Sequence, residues 1–230
     1  MESLKSNSLI EQASETLTKF IMDKKVLTGE FMPPEHELCK MLGVSRSTLR
    51  EAVSILESKG LVKRLHGHGV QIVNESQRAT TNMLQLLVKR NDATLNELIE
   101  VRTIFEIKSA ELAAERATAE DLNLIKKYLE IMQTKGVSLN DYAKADIDFH
   151  VAVAKAAHNS VLILIIESIR PLLHDVIIST LQTNSRPEQS LHYHEKIYLA
   201  IENRDKQSAS LAMTEHLKAT KGMIDNFNSN

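Results

Sequence analysis

Several features of secreted and membrane proteins are missing from this sequence. Cys39 is the only cysteine, which excludes an intrachain disulfide and a cysteine-based zinc site. The longest unbroken aliphatic run, residues 161–166, is far shorter than the roughly 20 residues of a membrane-spanning helix. The first residues, MESLKSNS, lack the basic and then apolar pattern of a signal peptide. We therefore expect a cytoplasmic protein with no membrane partner.

Glycine and proline become scarce after residue 73. Five of the seven glycines and two of the four prolines precede residue 70. Since these residues interrupt helices, their scarcity favours long helices in the rest of the chain. Hydrophobic spacing predicts one early helix over residues 9–27, and later helices over residues 83–89, 95–116, 118–136, 139–157, 159–181, 187–203 and 205–223. The polar stretch 74–81 between the two regions is predicted to be a linker.

The chain has no strong overall charge. Its formal net charge is −2, which argues against non-specific binding of the whole chain to a polyanion. Basic residues are nevertheless concentrated between residues 38 and 73, where there are six lysines and arginines and only two acids. A local basic patch of this kind is what contact with DNA phosphates requires.

Residues 33–73 carry the pattern of a helix, a turn, a second helix and a two-stranded wing. Residues 35–42 form the first predicted helix, and Ser45 is a preferred N-cap for the second. Strand-like segments flank residues 67–69 (Gly-His-Gly), as expected for a wing tip. The second helix has an apolar face, with Leu49, Ala52, Val53 and Leu56, and an adjoining polar face, with Arg46, Ser47, Arg50 and Ser54.

The polar face suits reading of the DNA major groove, because an arginine can bridge two acceptors on guanine. The alternative is that Arg46 and Arg50 are only solvated charges on a helix surface. The segments MPPEHEL, LGVSRSTLREAVSILESKGLV and HGHGVQIV together resemble the winged helix-turn-helix of the GntR family of bacterial transcription regulators. The resemblance implies DNA contacts from His36, Arg46, Ser47, Thr48, Arg50, Lys63, Arg64, His66, Gly67 and His68. The family often has arginine where this chain has His36, so we expect one contact to be weaker or pH-sensitive.

Four ionisable residues fall on apolar helix faces in the second half of the chain. Asp146 and His150 lie one turn apart on the same stripe as Phe149 and Val153. His194 and His216 occupy the apolar faces of two later helices. One carboxylate and three imidazoles are a plausible ligand set for zinc, nickel or manganese. The alternative is an Asp–His ion pair with two ordinary core histidines.

A second resemblance favours the metal site. The segments VRTIFEIKSAELAAERATAEDL, DIDFHVAVAKAAHNS and HEKIYLAIENRDKQSASLAMTEHL are similar to the ligand-sensing FCD domain of the FadR subfamily of GntR regulators. The resemblance implies a divalent metal, with zinc favoured over nickel or manganese, held by Asp146, His150, His194 and His216, with a small organic acid approaching it. Arg102 is the candidate to bind the acid, since a guanidinium grips a carboxylate through two hydrogen bonds. Its alternative role is a surface ion pair with Glu106.

The sequence thus predicts a mainly α protein with three parts. Residues 1–73 form a winged helix-turn-helix DNA-binding domain, residues 74–81 a linker, and residues 82–230 an all-helical FCD-type bundle for effector binding and dimerisation. The predicted function is a metabolite-responsive transcription regulator, a repressor, that binds a pseudo-palindromic operator as a homodimer. Two alternatives remain open: a metal-dependent enzyme that uses the Asp/His₃ site, and a metal-free helical interaction module.

Overall fold

The computed structural model describes residues 2–23, 27–90, 94–183 and 187–228. These residues form ten helices and one two-stranded sheet, which confirms the prediction of a mainly α fold with a small β wing. The chain divides into two compact units, one ending at Asn82 and the other beginning at Met83. We call the first unit the head and the second the bundle. None of the described helices is long and apolar enough to cross a membrane.

The head contains the predicted helix-turn-helix and wing. Ser45 caps the second helix of the motif, since its side chain accepts a hydrogen bond from the backbone N–H of Thr48. Gly43 ends the preceding helix in the left-handed conformation, at φ 65°. The elements of the head are α1 (Glu2–Asp23), α2 (Glu35–Leu42), α3 (Arg46–Ser58), β1 (Val62–Leu65) and β2 (Gly69–Ile72). Residues 24–26, the end of the first predicted helix apart from Leu27, lie outside the described residues.

One apolar core holds the head together. The predicted apolar face of α3 is buried: Leu49, Ala52, Val53 and Leu56 are each at most 3% exposed. This face packs with Leu17 of α1, and α1 contacts α3. The two strands pair antiparallel with Val62 opposite Ile72, which adds both side chains to the same core. The packing leaves the polar face of α3 exposed to solvent.

The segment predicted as a linker, residues 74–81, is helical from Ser76 onward. Helix α4 spans Ser76–Lys89, so it begins seven residues before the predicted start at residue 83. Its polar composition suggested a loop, but Thr80 and Thr81 donate their hydroxyls to carbonyls four residues earlier. Hydroxyls satisfied in this way are compatible with a helix.

The bundle consists of long helices, as the scarcity of glycine and proline predicts. Thr94 and Thr118 each form a capping box with the acid three residues later, which fixes where two of these helices begin. Pro171 lies inside a continuous helix. The helices are α5 (Leu95–Arg116), α6 (Ala119–Gln133), α7 (Leu139–Ala156), α8 (Ser160–Thr183), α9 (Pro187–Glu202) and α10 (Lys206–Asn228).

Helix α7 is the most deeply buried helix of the bundle among the described residues. It packs against α5, α6 and α8, and twelve of its eighteen residues are buried. Five of the twelve are alanines, whose small side chains let neighbouring helices approach closely. Helices α9 and α10 pack on each other and on α5. Polar side chains on the inner faces of these helices must therefore find their partners inside the bundle.

We predict that Gly60→Ala destabilises the head much more than Gly43→Ala. Both glycines have positive φ, 71° and 65°, so alanine costs about 1–2 kcal/mol of backbone strain at either position. At Gly60 the added Cβ would also lie 2.5 Å from the backbone C and O of Glu75, whereas nothing lies within 4 Å at Gly43. This overlap should cost a further 1–3 kcal/mol, roughly. Calorimetric unfolding of both variants measures the difference, and equal losses would contradict it.

Candidate metal centre and DNA-reading surface

The four candidate metal ligands come together inside the bundle. Helix α7 supplies Asp146 and His150, α9 supplies His194, and α10 supplies His216. All four side chains are buried, and His194 has no exposed surface. One donor atom from each residue lies within 4.8 Å of the donor atoms of the others. The four residues that the helical periodicity placed on inner faces therefore form one cluster.

Three of the donor–donor distances in this cluster are close to those of a tetrahedral metal site. The His150 Nε2 lies 3.1 Å from the His216 Nε2 and 3.3 Å from the His194 Nε2. The His194 Nε2 is 3.1 Å from the Asp146 Oδ1. Ligands bound to zinc at about 2.0–2.1 Å in a tetrahedron lie about 3.3–3.4 Å apart. The donor set and its spacing could therefore hold a divalent ion, although the geometry does not single out which one.

The electrostatics of the cluster favour the protonation states that bind metals. Burial lowers the pKa of His194, and it lowers the pKa of His216 well below the ordinary histidine value. Both imidazoles are therefore neutral at pH 7. Burial alone would raise the pKa of Asp146, but the hydrogen bond from His194 and the nearby imidazoles outweigh it and lower that pKa. The cluster thus presents an anionic carboxylate beside two neutral imidazoles, each of which has a lone pair on one ring nitrogen.

Arg102 forms the predicted pair with Glu106, but the pair is buried rather than on the surface. The Arg102 Nε donates to the Glu106 Oε1 at 2.6 Å, and the two side chains are 5% and 3% exposed. Burial alone would raise the pKa of Glu106, but Arg102 and His150 lower it to about 2. Burial likewise opposes the charge of Arg102, but Glu106 raises its pKa. The pair therefore remains charged in the interior.

Sequence reasoning missed the connection from Glu106 to the cluster. The Glu106 Oε2 lies 2.7 Å from the His150 Nδ1, on the side of the imidazole opposite the other candidate ligands. The signal was present in the sequence: Ser109, Ala110 and Ala113 lie three, four and seven residues after Glu106. This spacing marks a buried helix face, and all three residues are at most 1% exposed.

A small cavity adjoins Arg102 and His150. Its volume is about 10 Å³, which is room for one water molecule at most. Ile166, Ile169 and Leu173 of α8 form one wall. Organic ligands occupy pockets of roughly 300–1,000 Å³, so this site holds no organic acid in the conformation described.

The candidate DNA contacts of α3 lie at its exposed start. Arg46 and Ser47 are exposed, and Thr48 is half-buried. The hydroxyls of Ser47 and Thr48 each lie 2.8 Å from the Ser45 hydroxyl.

Arg50 is exposed, and its guanidinium donates to both carboxylate oxygens of Glu35, at 3.1 and 3.4 Å. His36 lies on α2, largely exposed, 3.9 Å from Glu37.

The candidate contacts of the wing lie on its exposed strand and tip. Arg64 lies 3.8 Å from Glu57 and donates to the Arg50 carbonyl at 2.6 Å. Lys63 lies 4.0 Å from Glu75. The tip residues His66, Gly67 and His68 are exposed. An open groove of about 930 Å³ is lined by Arg50, Arg64 and the three tip residues.

We predict that metal-free protein loses stability as the pH falls from 7 to 5. A buried histidine with a lowered pKa stabilises the fold above its unfolded pKa of about 6.5, and this contribution is lost as the pH falls toward the folded value. Each of His194 and His216 contributes up to about 1.4 kcal/mol per pH unit below about pH 6.

Calorimetry in chelator at pH 7, 6 and 5 measures this dependence. His216→Asn removes one of the two groups and should flatten it, whereas His192→Asn, on the exposed side of α9, should not. A parallel decline in all three proteins would contradict the assignment.

Two family models match the chain. The model described as bacterial regulatory proteins, gntR family, matches residues 9–72, and the FCD domain model matches residues 97–219. The first match covers the helix-turn-helix and wing, and the second covers all four cluster residues.

Curated proteins and solved structures agree with these matches. The Glc operon transcriptional activator of Escherichia coli K12 is 30% identical over 222 residues, 93% of this chain and 87% of that protein. The Uxu operon transcriptional regulator of the same strain is 32% identical over 209 residues, 87% of this chain and 80% of that protein. The structure of Streptococcus agalactiae GntR has a TM-score of 0.74 and 27% identity, and covers 91% of this chain and 98% of that one.

The matches confirm both predicted resemblances, and the matched families and relatives are transcription regulators rather than enzymes. The chain belongs to the gntR family of bacterial regulatory proteins: it is a DNA-binding transcription regulator that carries an FCD domain.

Proposed function

We propose that this regulator senses a small organic acid through a divalent metal, zinc in the first instance, held by Asp146, His150, His194 and His216. The observation that carries the proposal is the convergence of three imidazoles and one carboxylate in the interior of the bundle, with all four donor atoms within 4.8 Å of one another and three of the contacts at 3.1–3.3 Å. Each imidazole presents a lone pair to this centre when its own proton lies on Nδ1. A cation among the four donors stabilises all of them.

Arg102 is the proposed anchor for the carboxylate of the effector. It lines the small cavity together with His150, and the charge of Asp146 helps to raise its pKa. Its Nε is engaged by Glu106, and the guanidinium has further N–H groups in a planar fork that matches a carboxylate. A buried cation next to a candidate metal is a site for an anion with more than one oxygen donor.

Entry of the effector requires the cavity to enlarge from about 10 Å³. Its apolar wall comes from α8, so we propose that the acid displaces this helix relative to α5 and α7. A ligand that binds only the opened bundle shifts the protein toward that state. If the opened and closed states differ in affinity for DNA, acid and operator affect each other's binding reciprocally.

On the DNA side, we propose that a homodimer binds a pseudo-palindromic operator with α3 in the major groove and the wing beside it. Arg46, Ser47, Thr48 and Arg50 are the proposed readers on α3. The contacts proposed for the surrounding surface come from His36, Lys63, Arg64, His66, Gly67 and His68. Repression is the proposed mode of action; one relative is named an activator, so a promoter reporter assay in the presence and absence of the regulator determines the direction.

Metal content and acid binding are measured together. We predict that protein purified without an affinity tag contains about one metal ion per chain, and that carboxylates raise its melting temperature by mass action. Chelator should abolish the carboxylate effect, and His150→Ala should remove the metal. His192→Ala serves as the matched control, since this histidine is exposed on α9. Protein without metal, or a carboxylate effect that survives chelation, would refute the metal-based sensor and leave a metal-free helical module.

DNA reading is tested with paired arginine and lysine variants. We predict that Arg46→Ala and Arg50→Ala each weaken specific operator binding by roughly 1–3 kcal/mol, because each removes a bidentate contact to a base edge. Lys19→Ala removes the same charge from an exposed position on α1, outside the helix-turn-helix, and should change affinity much less. Binding is measured by fluorescence anisotropy on an operator selected from genomic DNA. Equal effects of all three substitutions would exclude α3 as the recognition helix.

A further inference from the structure

Glu106 occupies a position between Arg102 and the cluster. Its side chain is 3% exposed, and each carboxylate oxygen faces a different partner. The Oε1 accepts from the Arg102 Nε at 2.6 Å, and the Oε2 lies 2.7 Å from the His150 Nδ1. Among the described residues, neither the Glu106 Oε2 nor the His150 Nδ1 has a hydrogen-bond partner of good angular geometry, and the two atoms face each other at 2.7 Å. These two buried atoms therefore depend on each other.

This contact selects one tautomer of His150. A carboxylate only accepts hydrogen bonds, so a proton on Nδ1 makes the 2.7 Å approach favourable. The opposite tautomer would set a lone pair of Nδ1 against the carboxylate at the same distance. It would also put a proton on Nε2, the atom that faces the His194 and His216 Nε2 atoms within 3.3 Å and is proposed to bind the metal. The geometry therefore places the proton of His150 on Nδ1 and its free lone pair toward the cluster.

We propose that Glu106 is a positioning residue that fixes the tautomer and ring orientation of His150 for metal binding, while Arg102 holds the other oxygen of the same carboxylate. This inference rests on the proposed metal site. The Arg102 contact at Oε1 limits rotation of the carboxylate, so Oε2 remains directed at Nδ1. The arginine proposed to bind the effector and the histidine proposed to bind the metal thus share one carboxylate.

The test compares zinc affinity among four full-length proteins by competition with a chromogenic chelator. Glu106→Gln keeps the size of the side chain but lacks a charged acceptor, and should weaken zinc binding roughly 10- to 100-fold. The double variant Arg102→Met/Glu106→Gln leaves no unpaired buried charge and should show a similar loss, which guards against unfolding of the single variant. Glu111→Gln, on the exposed side of α5 where Glu111 pairs with Lys108, should bind zinc as wild type does.

A second measurement distinguishes a role of Glu106 in positioning His150 from a role in stabilising the fold as a whole. Nitrogen-15 NMR of the imidazole should show His150 protonated at Nδ1 in metal-free wild-type protein and in Glu111→Gln. The preference for this tautomer should be lost in Glu106→Gln, while the melting temperature of the metal-free double variant remains close to that of wild type.

Three results would overturn the proposal in different ways. If both Glu106 variants bind zinc as tightly as Glu111→Gln does, Glu106 has no positioning role, and the proposed metal site is unaffected. An Nε2-protonated His150 in wild type refutes the tautomer that the contact selects. If neither the wild type nor Glu111→Gln binds zinc, the proposed metal site is refuted, and the positioning role of Glu106 is refuted with it.

Discussion

The dominant constraint on the bundle is the burial, among its described residues, of an arginine, two carboxylates and three imidazoles in a mainly apolar interior. A carboxylate or guanidinium transferred from water into such an interior costs several kcal/mol, roughly, unless partners compensate it. Arg102 and Glu106 compensate each other, and Asp146 is paired with His194. The three imidazoles meet through their Nε2 atoms at 3.1 and 3.3 Å, so the tautomers of the rings decide which of these nitrogens donates and which accepts.

Helix α7 makes this arrangement sterically possible. Its buried alanines, among them Ala143, Ala145 and Ala152, occupy little volume, so the surrounding helices approach closely. Phe149 packs edge-on against the rings of both His150 and His194, with centroids 5.6 and 4.8 Å away. The imidazoles are therefore held in their orientations by ring packing as well as by polar contacts. Rigid packing of this kind lets a small cluster of side chains retain a defined geometry.

The sequence predicted the parts of this structure that depend on local periodicity. Asp146, His150, His194 and His216 were recognisable because each interrupts an apolar stripe with helical spacing. Contacts between distant segments were not predictable in this way: Glu106 resembled half of a surface ion pair until α7 placed His150 against it. The early start of α4 was missed for a related reason, since polar composition says little about whether hydroxyls are satisfied within a helix. The size of the cavity depends on how α8 packs, which no local pattern encodes.

Each of the two units contains an Arg–Glu ion pair, and the two pairs differ in their exposure to solvent. In the head, Arg50 and Glu35 form a hydrogen-bonded pair with 66% and 40% of their side chains exposed. Exposed pairs contribute little, about 0–1 kcal/mol, so a DNA phosphate or base edge can displace Glu35 at small cost. In the bundle, the Arg102 and Glu106 side chains are only 5% and 3% exposed. Separating the pair therefore leaves a buried charge unpaired, unless another group with the charge of the lost partner takes its place. Exposure therefore leaves the Arg50 guanidinium open to a new acceptor, whereas burial keeps Arg102 with its carboxylate partner.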